Sequence, residues 1–192
     1  MKKPQPSMLT RQVIIDGLKY IFSGRLWLKN SHLPAINHTV PEDFTGLCVA
    51  SNADPATDSY VLEQLLALGV KRVRLDISND EARPFQERFL RQLLANGFSV
   101  TVHAVQPYED AKNMRSSQAQ AGWKQFIEEL CQAYAGSIAA LEIGNTVNRK
   151  KWAGYDMPGF MAAWQIAYDL ARQYQVTVIG PNIQDFEPLY NI

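Results

Sequence analysis

One short segment occurs twice in the chain. "LLALGVKRVRLDI" begins at Leu65 and "LLANGFSVTVHAV" begins at Leu93, 28 residues later. Each reads as a helix end closed by a glycine, Gly69 or Gly97, followed by an alternating apolar run. Glycine stops a helix because it enters the left-handed backbone region without a Cβ clash. A period of this length is what stacked strand–helix units give. It constrains the fold more than composition does.

The rhythm extends both ways. "FTGLCVASN" (44–52) is a short strand, and Asp54-Pro55 supplies a cap and first turn for a helix carrying Val61, Leu62, Leu65 and Leu66. "VKRVRLDIS" (70–78) is the second strand, and Pro84 opens a helix carrying Phe85, Phe89, Leu93 and Leu94. "FSVTVHAV" (98–105) is the third. A polar loop then leads to a helix with Trp123, Phe126, Ile127, Leu130 and Tyr134, which ends at Gly136. "IAALEIGN" (138–145) is the fourth strand, Pro158 begins another helix, and "VTVIGPN" (176–182) is the fifth strand. Strands alternating with helices predict a parallel sheet, in either an open doubly wound form or a TIM-type barrel.

The faces of the strands separate these two. In 70–78, Lys71, Val73, Leu75 and Ile77 oppose Arg72, Arg74, Asp76 and Ser78. In 98–105, Val100, Val102 and Ala104 oppose Ser99, Thr101 and His103. In 138–144, Leu141 and Ile143 oppose Ala140, Glu142 and Gly144. A sheet covered by helices on both sides is apolar on both faces, whereas a barrel turns one face into an interior that tolerates polar groups. The pattern predicts a (β/α) TIM-type barrel over residues 44–192, representing the first five strand–helix units of eight.

Residues 1–43 read as a helical extension and linker. Lys2, Lys3, Arg11, Lys19, Arg25 and Lys29 stand against Asp16. Apolar residues from Val13 to Leu28 make residues 11–29 a basic amphipathic helix. It either packs with its positive face to water or makes a peripheral membrane contact with an anionic surface. The stretch Pro34 to Pro41 is the linker. The start MKKPQPSMLTR lacks a signal-peptide pattern, and no run approaches the ~20 apolar residues of a membrane span, so a cytoplasmic protein is expected. Lysine plus arginine equals aspartate plus glutamate, 19 each, which argues against a nucleic-acid partner. Two cysteines, Cys48 and Cys131, have no metal-ligand spacing. No phosphate or dinucleotide fingerprint occurs, so no cofactor and no metal are expected.

In a barrel of this kind the chemistry sits at the carboxyl ends of the strands. The polar residues there are Asp76, Ser78, Asn79, His103, Gln106, Asn145, Thr146, Asn148, Asn182, Gln184 and Asp185, with Arg149, Trp152 and Tyr155 just beyond. "LEIGNTVN" (141–148), "VRLDIS" with Arg74, and "VIGPN" resemble, in order and spacing, the strand motifs of the clan A retaining glycoside hydrolases. The resemblance spans about Phe44 to Asp185. It implies recognition or hydrolysis of a glycan, with Arg74, His103, Asn145, Asn148, Trp152 and Asn182 binding the carbohydrate. Thr146 falls on the family's acid/base position, and a hydroxyl does not titrate near neutrality. The catalytic candidates are therefore Glu142, Asp76 and Asp185. Glu142 shares an inner face with Arg74 and reads either as a displaced acid or as half of a buried ion pair. Asp76 and Asp185 read either as rim acids or as cap and loop residues. The alternatives to an O-glycosyl hydrolase are a non-catalytic sugar-binding pseudoenzyme and a membrane-surface scaffold. A homo-oligomer is expected if the chain is complete.

Overall fold

The computed structural model describes residues 15, 17–19, 21–23, 44–144 and 146–183. The chain divides into two compact units, Met1–Val40 with Phe186–Ile192, and Pro41–Asp185. In the first unit the described residues are helical as far as Phe22, with Ile15, Leu18, Ile21 and Phe22 exposed. The remainder of the expected 11–29 helix and the Pro34–Pro41 linker lie outside the described residues.

The second unit alternates strands and helices. The order is β1 (Gly46–Val49), α1 (Pro55–Ala67), β2 (Arg72–Ser78), α2 (Arg83–Ala95) and β3 (Ser99–Val105). It continues with α3 (Tyr108–Lys112), α4 (Ser117–Tyr134), β4 (Ala140–Ile143), α5 (Lys150–Ala153), α6 (Met157–Tyr174) and β5 (Val178–Ile179). The helix starts follow from local chemistry. Asp54 accepts a hydrogen bond from the Ala56 amide, Ser116 from Ala119 and Asp156 from Gly159. Pro55, Pro84 and Pro158 lie in first turns, where a missing N–H costs nothing. Gly69 (φ 69°) and Gly97 (φ 77°) close α1 and α2 in the left-handed region.

The five strands form one parallel sheet in the order β1-β2-β3-β4-β5. Each strand pairs with its successor, so right-handed crossovers place their helices on one face. That face carries Val73, Leu75, Ile77, Val100, Val102, Ala104, Leu141 and Ile143, all buried. The helices cover it with Phe89, Leu90 and Leu93 from α2, Trp123, Phe126 and Ile127 from α4, and Phe160, Ala163 and Ala167 from α6. The indole N–H of Trp123 donates to the carbonyl of Ala163 at 2.9 Å and ties α4 to α6. The opposite face carries Arg72, Arg74, Asp76, Thr101, His103 and Glu142.

The expectation of a TIM-type barrel is corrected to its coarser part. The domain is α/β with a parallel five-stranded sheet, and that sheet is open: among the described residues β1 and β5 are its edges and do not pair. The pattern of faces was read correctly, but a polar face does not require closure. Closure needs enough strands for the first to reach the last, and a filled barrel takes about eight. No helix of the described residues is long and apolar enough to cross a membrane.

Candidate functional site

The parallel register puts three of the expected residues in one row. Asp76 on β2, His103 on β3 and Glu142 on β4 are direct neighbours. One pleat earlier, Arg74 lies beside Cys48 and Thr101. Arg74 reaches across β3 to Glu142, Nε to Oε2 at 2.5 Å, and donates through Nη1 to Asp76 Oδ1 at 2.7 Å. His103 Nδ1 lies 2.9 Å from the same Asp76 oxygen. One guanidinium thus ties two carboxylates, and one carboxylate holds the imidazole.

Burial and charge oppose one another here. Burial alone would raise the pKa of Asp76. The hydrogen bond from His103 and the Arg74 guanidinium beside it outweigh that and hold Asp76 below its usual range. Burial likewise works against the Arg74 cation, and Glu142 and Asp76 more than offset it, so its pKa rises. An ionised Asp76 accepts only, so His103 donates to it from Nδ1 and keeps its lone pair on Nε2. His103 is fully buried, and its Nε2 has no hydrogen-bond partner among the described residues.

The other expected residues do not join this row. Thr146 follows β4 with a left-handed backbone (φ 49°) and is buried. Asn182 acts through its backbone, donating to the Gly144 carbonyl at 3.0 Å and accepting from the Val147 amide at 3.3 Å. Asn148 is half-buried in the turn after β4. Trp152 on α5 stands 73% exposed, away from any ring contact. Asn145 and Asp185 lie outside the described residues. Among the described residues no three His, Cys, Asp or Glu side chains converge as a metal site would need.

A second feature lies on the helix side of the sheet. A cavity of about 560 Å³ opens at the carboxyl ends of β2 and β3, lined among others by Asn79, Gln106, Asp110, Asn113, Gln118 and Trp123. Asn79 and Gln106 were visible as strand-end residues. Asp110 and Asn113 lie on α3, a five-residue helix too short to show a period, although Glu109 and Asp110 after Pro107 mark the acidic first turn of a helix.

Comparison with known proteins gives little likeness. No family model matches the chain. No curated protein matches it either. Among solved structures it is similar to one titled "The crystal structure of predicted subunit of tRNA methyltransferase from Methanocaldococcus jannaschii DSM", at 17% identity and a TM-score of 0.27, covering 76% of this chain and 70% of that one. The glycoside hydrolase assignment is corrected on these findings: neither a family model nor a curated protein supplies that family. The carbohydrate ligand, O-glycosyl hydrolysis and the sugar-binding pseudoenzyme fall with it. So do the other partner expectations drawn beside it: no nucleic acid, a membrane contact through 11–29, and a homo-oligomer. The physical reason is that a short strand-end motif such as "LEIGNTVN" encodes a local turn rather than a whole site. Here that turn is set by Gly144 and Thr146, both at positive φ.

Proposed function

We propose that the Pro41–Asp185 unit is an enzyme domain whose chemistry is proton transfer at His103. Asp76 fixes the ring and its tautomer, and Nε2 is the base that takes a proton from water or from a substrate group. Arg74 and Glu142 position Asp76 and set the local charge. The cluster holds one cation and two carboxylates, so a proton arriving on Nε2 brings it to neutrality. That favours a base over a permanent cation, and it favours neutral electrophiles such as carboxylic esters, amides or lactones over anionic ones. The observation that carries the reading is the buried, unpartnered Nε2 beside a hydrogen-bonded Nδ1, because buried polar atoms without partners are rare in folded chains. The monotonic strand order with α2, α4 and α6 on one face also supports the finer proposal that the sheet is an arc of a barrel.

The complete burial of His103 favours one competing reading, in which the network only fills the sheet face. Hydrolysis of neutral p-nitrophenyl esters by the full chain separates the two. Under the proposal His103→Gln and Asp76→Asn each reduce turnover by about 10²-fold or more, while Arg74→Lys reduces it less. ¹⁵N NMR should also show Nδ1–H and a bare Nε2. Unchanged turnover across a panel of neutral esters, amides and lactones, together with a lowered melting temperature for His103→Gln, would establish the filler role and sink the base.

A further inference from the structure

We propose that the cavity at the carboxyl ends of β2 and β3 binds a small neutral ligand that carries a hydrogen-bond donor and acceptor on one planar edge. A carboxamide, a lactam or a nucleobase edge has this chemistry. The site stands apart from His103, on the opposite face of the sheet: residues Ile77 and Ala104 point to the helices, and Asn79 and Gln106 continue that alternation beyond the strand ends.

Two of its carboxamides are fixed in opposite senses. The Tyr155 hydroxyl donates to Gln106 Oε1 at 2.5 Å, and Gln106 Nε2 makes one contact, to Met114 Sδ at 3.2 Å. Burial pushes the Tyr155 phenol well above its usual range, so it remains a donor at any ordinary pH. A flipped amide would turn Oε1 onto the Met114 thioether, which cannot donate, so the sulfur holds the amide in this sense and its second N–H is left for a ligand. Asn113 is held the other way. Its Nδ2 donates to the Glu109 carbonyl at 2.8 Å, which leaves Oδ1 as an acceptor. One wall thus offers a donor and another an acceptor. Asn79 and Gln118 have no side-chain hydrogen bond among the described residues and adapt to either sense.

Tyr155 is itself set by the fold. Gly154 before it has φ 78°, and a Cβ there would lie 2.6 Å from the Tyr108 carbonyl oxygen. Only glycine allows α5 to approach α3 so closely and turn Tyr155 under Gln106. Charge narrows the ligand further. Among the described residues Asp110 is the sole ionisable side chain on the lining, so anions are disfavoured. The volume suits a molecule well below drug size with water beside it, or a larger one that fills it.

The test uses the full chain with benzamide, adenine and benzoate as probes, read by NMR titration and calorimetry. Benzamide and benzoate share a ring and differ in the edge the site would read and in charge, which Asp110 also opposes. Benzamide and adenine are expected to shift amides of Asn79, Gln106 and α4, and benzoate to bind at least about tenfold more weakly. Gln106→Leu should weaken benzamide and adenine by about tenfold or more while leaving benzoate unchanged. Tyr155→Phe should weaken benzamide by several-fold, because it leaves Gln106 Oε1 without its donor and the amide less firmly held. Gln118→Ala, at an exposed position, guards against loss of fold and should weaken binding without lowering the melting temperature. Equal binding of benzamide and benzoate, no binding of benzamide or adenine at millimolar concentration, or a Gln106→Leu variant that binds as the wild type does, would each overturn the proposal.

Discussion

Asp58 and Arg88 form an ion pair at 2.7 Å in which the carboxylate has no exposed surface. The other Asp58 oxygen accepts from the Asn52 amide at 2.8 Å, and Arg88 donates to the Asn52 carbonyl at 2.6 Å. Three elements meet there: the loop after β1, α1 and α2. Removing one partner of a buried pair strands the other in a poor solvent, which costs about 3–5 kcal/mol. Asp58→Ala should lose that much in denaturant unfolding. Arg88 is part exposed, so Arg88→Met should cost the same or more because it leaves the fully buried carboxylate unpaired. By contrast the Arg83–Glu129 pair at 2.7 Å joins a more exposed carboxylate, and Glu129→Gln should cost about 1 kcal/mol or less. Equal effects at the two sites would show that burial does not govern them.

Sequence reading located the strands and four long helices because the signals are local. Asp54-Pro55, Pro84, Pro158 and the glycines at 69 and 97 mark helix ends by their own backbone chemistry, and the alternation in "VRLDI" assigns faces. It did not find Asp58, since nothing in "PATDSY" says that an arginine 30 residues on will meet it. It placed Arg74, Asp76, His103 and Glu142 on one face, and the structure joins them. It could not give their hydrogen bonds, because those depend on strand register, which is fixed between segments. It overreached at closure: alternation says which face is polar, and never whether β1 and β5 find partners.

The Gln106 cavity was half legible for the same reason. Strand ends advertise Asn79 and Gln106. The other wall comes from α3, a five-residue helix too short to show a period.

Gly144 should tolerate no side chain. Its φ is 95°, and a Cβ there would lie 2.6 Å from Phe160 Cε2 and 2.8 Å from Val147 Cγ1. Strain in the left-handed region adds to the overlap with a buried ring. Gly144→Ala is expected to destabilise by about 1–3 kcal/mol. Gly122, where a Cβ meets nothing within 4 Å, lies in α4, and Gly122→Ala should stabilise by about 0.5–1 kcal/mol. Thermal melts of the two variants check both signs at once.

Asp76 gives a pH signature. Its folded pKa lies below the ordinary carboxylate value. A depressed acid contributes stability that is present above the unfolded pKa and is lost as pH falls through the folded one. Asp76→Asn should therefore lower the melting temperature at pH 7, and the gap should close below about pH 4. The side chain is half exposed, so screening holds the effect to about 1 kcal/mol or less. A gap that stays constant down to pH 2 would mean that Asp76 contributes shape alone.

The two cysteines should part company with alkali. Cys48 is exposed on β1, and Cys131 is buried in α4. Burial first, and the Glu128 charge second, push the Cys131 thiol up to about 11. A thiol raised in the folded state favours folding fully below its unfolded pKa of about 8.5, and that contribution is lost as pH rises through the folded value. Wild-type stability should thus decline between about pH 8.5 and 11, and Cys131→Ala should flatten part of that decline while costing about 1 kcal/mol at pH 7. At pH 8 a disulfide reagent should label one thiol of the native chain, Cys48, and reach Cys131 only on unfolding, because the thiolate is the reacting form. Two fast-labelling thiols in the folded chain would contradict the burial of Cys131 and the alkaline prediction with it.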